Sequence, residues 1–352
     1  MSEPPRLTAL TTAVPPYPLD QADVRARARR IFNRPDIDLD RLMPVYDHAG
    51  IRRRYSCVPI DWYGQSIGWK ARNDLYERHA LDLLTDVAER ALAQADLRAG
   101  EIDTILTVST TGITTPSLDA RLMNRLAFRR DTARLPVFGL GCCGGILGLG
   151  RAADLASSGK RVLLLTVELC ALTFRAGDFS KSNLVATALF GDGATGAVIS
   201  GVPGDVGTRL IGWGEHTWQD SLDVMGWTVE DDGLGVLFSR DIPSLVGTAY
   251  GSVLDTFLAR HHLTRAGIAA TACHPGGAKV VAALETVFGL QEGAMAAERR
   301  VLRDYGNMSA PTVLFVLREV LQDATRGPIL ASALGPGFSA GFALLDPSSA
   351  DP

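Results

Sequence analysis

The sequence is short of cysteine, of net charge and of long apolar runs, and each shortage narrows what the protein can be. Five cysteines (Cys57, Cys142, Cys143, Cys170 and Cys273) among 352 residues are an odd number without zinc-ligand spacing. That excludes a disulfide scaffold and a zinc-built domain, and it suits a reducing cytoplasm. No metal ligand set is expected. The formal net charge of −4 leaves no basic footprint for nucleic acid. No stretch approaches the roughly 18 apolar residues needed to cross a bilayer, so no transmembrane segment is expected. The first residues lack the basic region and apolar core of a secretory leader. What is present is 46% hydrophobic residues with 21% charged ones, enough for a sizeable core. A soluble, cytoplasmic, globular protein is the expectation.

Hydrophobic patterning gives an α/β chain that runs one plan twice. In the first half, Ala80 to Leu97 reads as an amphipathic helix with Leu84, Val87, Ala91 and Leu92 on one face. A strand over Asp103 to Val108 ends in the polar loop Ser109-Thr110-Thr111-Gly112. An apolar run (Leu135 to Phe138), a glycine elbow and a helix (Ile146 to Ser158) follow. Arg161 to Val167 is nearly all apolar, as a strand buried on both faces would be. Leu184 to Gly201 supplies a helix end, a Gly-Asp-Gly turn and another strand.

The second half repeats the order: helix (Val246 to His261), strand (Ile268 to Ala272) ending at His274, helix (Ala278 to Phe288), and a Gly306-Asn307 turn. Then come a helix (Ala310 to Leu321), a strand (Pro328 to Ala333), the loop Leu334-Gly335-Pro336-Gly337, and a strand (Ser339 to Leu345). A glycine-rich break at 201–207 divides the chain into halves at 1–205 and 206–352. Folds of this kind place their sites at the carboxyl edges of the strands.

Three points on that edge carry chemistry. Cys142 sits in Gly139-Leu140-Gly141-Cys142-Cys143-Gly144-Gly145. A strand, a sharp turn and a helix would lift its sulfur to the sheet edge, facing the positive end of the helix. Cys143 is the competing candidate, and position after Gly141 favours Cys142. His274 and Asn307 complete the outline of a nucleophilic cysteine with a distant His and Asn. Each also has an ordinary reading: a packing cysteine, a hydrogen-bonded histidine, a turn asparagine.

With these residues located, the chain resembles the type III polyketide synthases, the chalcone synthase-like branch of the thiolase superfamily, and its bacterial members in particular. The matching stretches are Gly-Ile-Arg-Arg-Arg-Tyr (50–55), Ser-Thr-Thr-Gly-Ile-Thr-Thr-Pro (109–116), Gly-Cys-Cys-Gly-Gly (141–145) and Glu-Leu-Cys-Ala-Leu-Thr-Phe-Arg (168–175). Ala-Leu-Phe-Gly-Asp-Gly-Ala (188–194), Cys-His-Pro-Gly-Gly (273–277), Gly-Asn-Met-Ser (306–309) and Gly-Pro-Gly-Phe (335–338) complete them.

The resemblance implies a five-layered αβαβα thiolase sandwich of two similar halves, acting as a homodimer on coenzyme A thioesters without a further cofactor. It puts the nucleophile on Cys142, the catalytic pair on His274 and Asn307, and a gatekeeping phenylalanine on Phe190. It puts the elongation cavity on Thr110, Thr111, Cys170, Thr173, Val236 and Ser309, and a cavity-forming loop on Gly335, Pro336 and Gly337. Thr115 falls where such enzymes reach into the partner's cavity.

There are departures. Val236 stands for a second phenylalanine of the family and Cys170 for a threonine. The basic cluster that grips coenzyme A phosphates in plant members is reduced chiefly to Arg41, with Pro44 and His48 where further basic groups would be expected. Arg52 to Arg54 are either a compensation or a solvated face.

The implied reaction loads a starter acyl-CoA, decarboxylates malonyl-CoA, condenses the two and cyclises the product, an alkylpyrone, alkylresorcinol or other aromatic. The chemistry asks for a thiolate, for donors to an enolate oxygen and for exclusion of water. A histidinium beside Cys142 is expected to lower the thiol pKa. A fatty-acid-initiating ketoacyl synthase also uses Cys, His and Asn, but with His-Gln-Ala-Asn where this chain has His274-Pro275-Gly276-Gly277. A non-catalytic acyl-thioester-binding protein is the alternative from another class.

Overall fold

The computed structural model describes residues 3–349 apart from 240, 324 and 325. β1 (Arg6–Ala13) is followed by a small ribbon of β2 (Tyr17–Asp20) and β3 (Arg53–Ser56). Then come β4 (Thr104–Val108), β5 (Ala133–Val137), β6 (Arg161–Leu169) and β7 (Asp192–Ser200). Side by side they run β1–β7–β6–β4–β5. β5, β4 and β6 are parallel, and β7 is antiparallel to both its neighbours. β4, β6 and β7 are buried on both faces, which is why their letters are almost continuously apolar or small.

The second half contains β8 (Thr208–Thr217), a hairpin of β9 (Met225–Glu230) and β10 (Gly233–Phe238), then β11 (Ala270–Cys273), β12 (Ile329–Gly335) and β13 (Ser339–Asp346). Its order is β11–β12–β13–β8, so β8, β11, β12 and β13 take the places of β1, β4, β6 and β7. β5 has no counterpart among the described residues. Arg6 and Leu7 pair with Arg209 and Thr208, which joins the halves into one nine-stranded sheet.

Alternation of side chains along these strands sets the layers. Leu164 faces the centre of the molecule, while Leu163 and Leu165 face the helix Trp69–Gln94. Ala331 likewise faces inward and Leu330 outward, toward the helices Gly251–Arg260 and Ala278–Val287. Between the half-sheets lie two helices, Gly144–Ala156 and Ala310–Gln322, whose Leu149, Val313 and Leu317 are fully buried. The result is helix, sheet, paired helices, sheet, helix: five layers, αβαβα.

The paired central helices bring the site together. A Cβ on Gly145 would stand 2.3 Å from the Ala310 carbonyl oxygen, so the two helices touch backbone to backbone near their starts. Cys142 precedes one start and Asn307 the other.

Several local expectations change. The helix expected from Ala80 begins at Trp69. Helix geometry is continuous from Ile242 to Arg260, with a π turn over Val246–Tyr250. Gly191-Asp192-Gly193 is no turn, because Asp192 and Gly193 open β7. The glycine at 193 makes room for Met308, whose sulfur would lie 2.5 Å from an added Cβ. The apolar run before the elbow is an edge strand, with Leu135 40% and Phe138 58% exposed.

Candidate active site

The elbow is a single tight 3-10 turn, Gly141–Cys143, opening into the helix Gly144–Ala156. Gly141 has φ +48° and lies against the Pro336 ring, 2.6 Å from where a Cβ would stand. No other residue fits that backbone and that contact. The turn sends the two cysteines in opposite directions. Cys143 is buried and its thiol donates to the Ala333 carbonyl at 3.3 Å. Cys142 is half-buried and lines a small cavity together with His274 and Asn307.

His274 leaves the end of β11 with its backbone N–H bonded to the Ser332 carbonyl at 2.8 Å. Its ring is buried, and neither nitrogen has a hydrogen-bond partner. Asn307 follows Gly306, whose φ of +70° turns the chain into the pocket. Its backbone is clamped on both sides of Phe190: Asn307 N–H donates to Leu189 O and Gly191 N–H donates to Asn307 O, both at 2.9 Å. Its side-chain oxygen accepts from the Ser309 N–H at 2.8 Å and from the Cys142 thiol at 3.9 Å. Its Nδ2 donates to the Gly276 carbonyl at 3.2 Å, and an amide nitrogen has a second hydrogen left to give.

Burial governs the charges here. The Cys142 thiol is pushed up to about 11 by desolvation, against which the Ser309 hydroxyl and the Asn307 amide pull down. Desolvation alone takes His274 down to about 4. Burial therefore opposes the expected imidazolium and the expected thiolate, because a dry pocket penalises either charge alone. The thiolate forms only as its proton passes to the ring.

This has a measurable consequence. Alkylation of Cys142 by iodoacetamide, followed by mass spectrometry, is expected to climb steadily between pH 7 and pH 10. A rate plateau reaching down to pH 6 would instead reveal a standing ion pair.

Glu168, which sequence reasoning had not singled out as a site residue, lies beside this pocket. It is the last residue but one of β6 and accepts from Thr110 N–H at 3.0 Å and from the Thr111 hydroxyl at 2.8 Å. Burial lifts its carboxyl to about 7, and Oε1 has no partner. Thr110 in turn accepts the Gly141 N–H at 3.2 Å, so the carboxyl, the polar loop and the elbow form one connected unit. The available signal was a lone acid closing an otherwise apolar strand.

The remaining candidates separate. Cys170, Thr173 and Phe190 line a second cavity behind the first. Ser309, with φ +56°, adjoins Cys142. Val236 lies across the hairpin from Trp227 and is not among the residues lining the reaction pocket. Gly335 and Pro336 press on the back of the elbow, 2.5 Å from Cys143 Cβ for an added Gly335 Cβ, and the 335–337 loop does not line that pocket either. Thr115 is exposed on the outside of the chain.

Arg41 lines an outer cleft of about 490 Å³ with His48, Lys181 and Lys279. The cleft shares Phe238, Ile242, Gly276 and Val280 with the reaction pocket, so it leads inward to Cys142. The two lysines come from separate helices and were invisible as a cluster in the sequence. Arg52 and Arg53 pair with Asp304 and Asp20 outside the cleft, and Arg54 is buried. The basic triplet therefore does not stand in for the missing cations.

Residues 4–203 match the N-terminal domain of the chalcone and stilbene synthases, and residues 218–344 match their C-terminal domain. The chain belongs to this family of type III polyketide synthases. It is 39% identical to the 1,3,6,8-tetrahydroxynaphthalene synthase of Streptomyces peucetius subsp. caesius, covering 96% of this chain and 92% of that one.

The crystal structure of the 1,3,6,8-tetrahydroxynaphthalene synthase of Streptomyces coelicolor A3(2) superposes with a TM-score of 0.92 at 28% identity, over 98% of this synthase and 99% of that chain. A polyketide synthase from the brown alga Ectocarpus siliculosus gives 0.90 at 25% identity, over 99% of each chain. The synthase is accordingly an acyltransferase of the decarboxylative Claisen type, on the thiolase fold. No helix among the described residues is long and apolar enough to cross a membrane.

Proposed function

We propose that Cys142, His274 and Asn307 are the catalytic residues of this synthase. The Cys142 thiol passes its proton to His274 and attacks the carbonyl of a starter acyl-CoA, releasing the coenzyme A thiol. Malonyl-CoA then occupies the cleft and loses CO2. The electron pair left behind forms an enolate whose oxygen takes hydrogen bonds from the His274 ring N–H and the free Asn307 Nδ2 hydrogen. The enolate carbon attacks the acyl-enzyme carbonyl and expels the Cys142 thiolate, leaving a chain longer by two carbons on coenzyme A. Phe190 and Phe238 keep water from the intermediate. The observation that carries this reading is that residues 142, 274 and 307, from three distant segments, line one pocket at the inner end of a cationic cleft.

The phosphates of coenzyme A fit Arg41, Lys181 and Lys279, which supply the cations that Pro44 and His48 do not. The exposed apolar side chains of Ile113, Leu135 and Phe138 suit a second copy of the chain, which would also receive Thr115. A homodimer in a reducing cytoplasm, where the five free cysteines would stay reduced, is thus part of the proposal. The chemistry calls for no cofactor beyond the thioesters themselves. The likeness to tetrahydroxynaphthalene synthases supports an aromatic polyketide product.

The test is the purified protein with malonyl-CoA and a starter acyl-CoA, in the absence of any carrier protein. Release of CO2 and free coenzyme A, with a polyketide product, is the expected result. A strict need for an acyl carrier protein would favour the ketoacyl synthase reading. Failure to consume malonyl-CoA under either condition would leave only a binding role.

A further inference from the structure

A histidine that takes a proton on one nitrogen needs the other held, because the partner of the second nitrogen sets the tautomer. In His274 the ring edge carrying Nε2 lies over Gly276, 3.8 Å from where a Cβ would stand there. The Gly276 carbonyl accepts from Asn307 Nδ2, so this edge is the one beside the catalytic amide. Nδ1 is on the other side of the ring, buried and without a hydrogen-bond partner among the described residues.

The walls of the same pocket offer one. Most of the side chains that line it are apolar, Met225, Ile242 and Leu284 among them. Apart from Cys142, His274 and Asn307, only Ser332 and Tyr250 are polar. Their hydroxyls bond each other at 2.7 Å, and both residues are almost fully buried. Ser332 pairs in register with Cys273, and its carbonyl accepts the His274 backbone N–H at 2.8 Å. Tyr250 closes the π turn Val246–Tyr250, a rare departure from regular helix that concentrates at functional sites. Its ring rests on Phe342, with centroids 5.7 Å apart. Burial holds its phenol well above the ordinary value, so it stays a neutral hydroxyl.

The pair is not self-sufficient. Two hydroxyls carry two hydrogens and four lone pairs, and their mutual bond uses one of each. A contact with the Cys273 thiol, 3.3 Å from Ser332 Oγ, occupies at most one more lone pair. Acceptor capacity is therefore left over inside a buried pocket. The free volume there is about 30 Å³, room for about two to three waters at roughly 10–15 Å³ each. A water between the His274 Nδ1–H and the hydroxyl pair has the polar partners that a buried water needs.

We propose that Ser332 and Tyr250 are positioning residues for His274: through a bound water their hydroxyls accept the Nδ1 hydrogen and leave Nε2 bare for the Cys142 proton. The same hydrogen bond persists when the ring becomes an imidazolium, and it offsets part of the desolvation that opposes that charge. A neutral partner does this without a standing charge in the pocket, as a carboxylate could not. The assignment rests on the acyl-transfer reading of Cys142 and His274 and deepens it.

The test uses the whole protein labelled with nitrogen-15 in its histidine rings. At neutral pH the His274 ring is expected as the Nδ1–H tautomer, identified as the signal missing from His274→Gln. Single-turnover acylation of Cys142 by hexanoyl-CoA is followed by intact-mass spectrometry. It is expected to slow about tenfold in Ser332→Ala and in Tyr250→Phe, with the half-saturating acyl-CoA concentration unchanged. Ser332→Thr, which keeps the hydroxyl, should recover most of the rate. A packing role alone would lower thermal stability and leave the tautomer and the rate as they were. The Nε2–H tautomer in the wild type would overturn the proposal, as would a wild-type rate in either folded variant lacking its hydroxyl. If neither variant folds, the tautomer decides alone. Undiminished acylation in the variants sinks only this inference, whereas no acylation of the wild type at Cys142 sinks the acyl-transfer reading with it.

Discussion

Cys142→Ala is expected to abolish chain extension, with turnover down on the order of 10⁴-fold or more, as when the nucleophile of a catalytic unit is removed. The fold should hold. The sulfur is half-buried, its hydrogen bond to Asn307 is a long contact of 3.9 Å, and alanine at this turn makes no new clash. Slow decarboxylation of malonyl-CoA should survive, because that step is assigned to His274 and Asn307 and needs no thiolate. Separate assays of CO2 release and of product formation distinguish the two. Cys143→Ala would behave differently. It removes a buried thiol from the central core, so it should lower stability while leaving acyl transfer at Cys142 intact.

Asn307→Ala should cost the second largest loss, about 10²–10³ in turnover, the usual effect of deleting one oxyanion donor. Malonyl-CoA decarboxylation should fall in step with extension. The amide also has a structural duty, since its oxygen accepts the Ser309 N–H and its nitrogen bonds the Gly276 carbonyl. Asn307→Asp separates the duties. It preserves an acceptor for Ser309 but replaces the amide donor with an acid. If positioning Ser309 were the main role, the aspartate variant would outperform the alanine one. The present account expects it to be at least as inactive, measured as CO2 release from malonyl-CoA.

Much of this site was legible in the sequence because the chemistry sits where the backbone is most constrained. Gly141 and Gly306 carry positive φ beside Cys142 and Asn307, and β6 and β12 spell their burial in apolar letters. Other parts left no local trace. β1 was not anticipated, because its threonines read as polar. In the fold, Thr11 is buried and its hydroxyl reaches the Val87 and Gly196 carbonyls at 2.9 and 3.2 Å. The hairpin of β9 and β10, which brings Trp227 to 6.4 Å from Phe190, is half-exposed and has no clear period.

The effect of burial on the charges of the site has no signature in residue types. Residue types suggest a histidinium and a thiolate, and only the three-dimensional enclosure shows that desolvation works against each charge taken singly. The cations of the cleft escaped notice because Arg41, Lys181 and Lys279 converge from three separate helical segments.

The most direct test of the central claim is to find where an acyl group lands. After brief incubation with hexanoyl-CoA, the peptide containing both elbow cysteines is fragmented and the added mass located. The account predicts the acyl group on the sulfur of Cys142, absent from Cys143 and lost in Cys142→Ala. An adduct on Cys143, or one that persists when Cys142 is replaced, would contradict it.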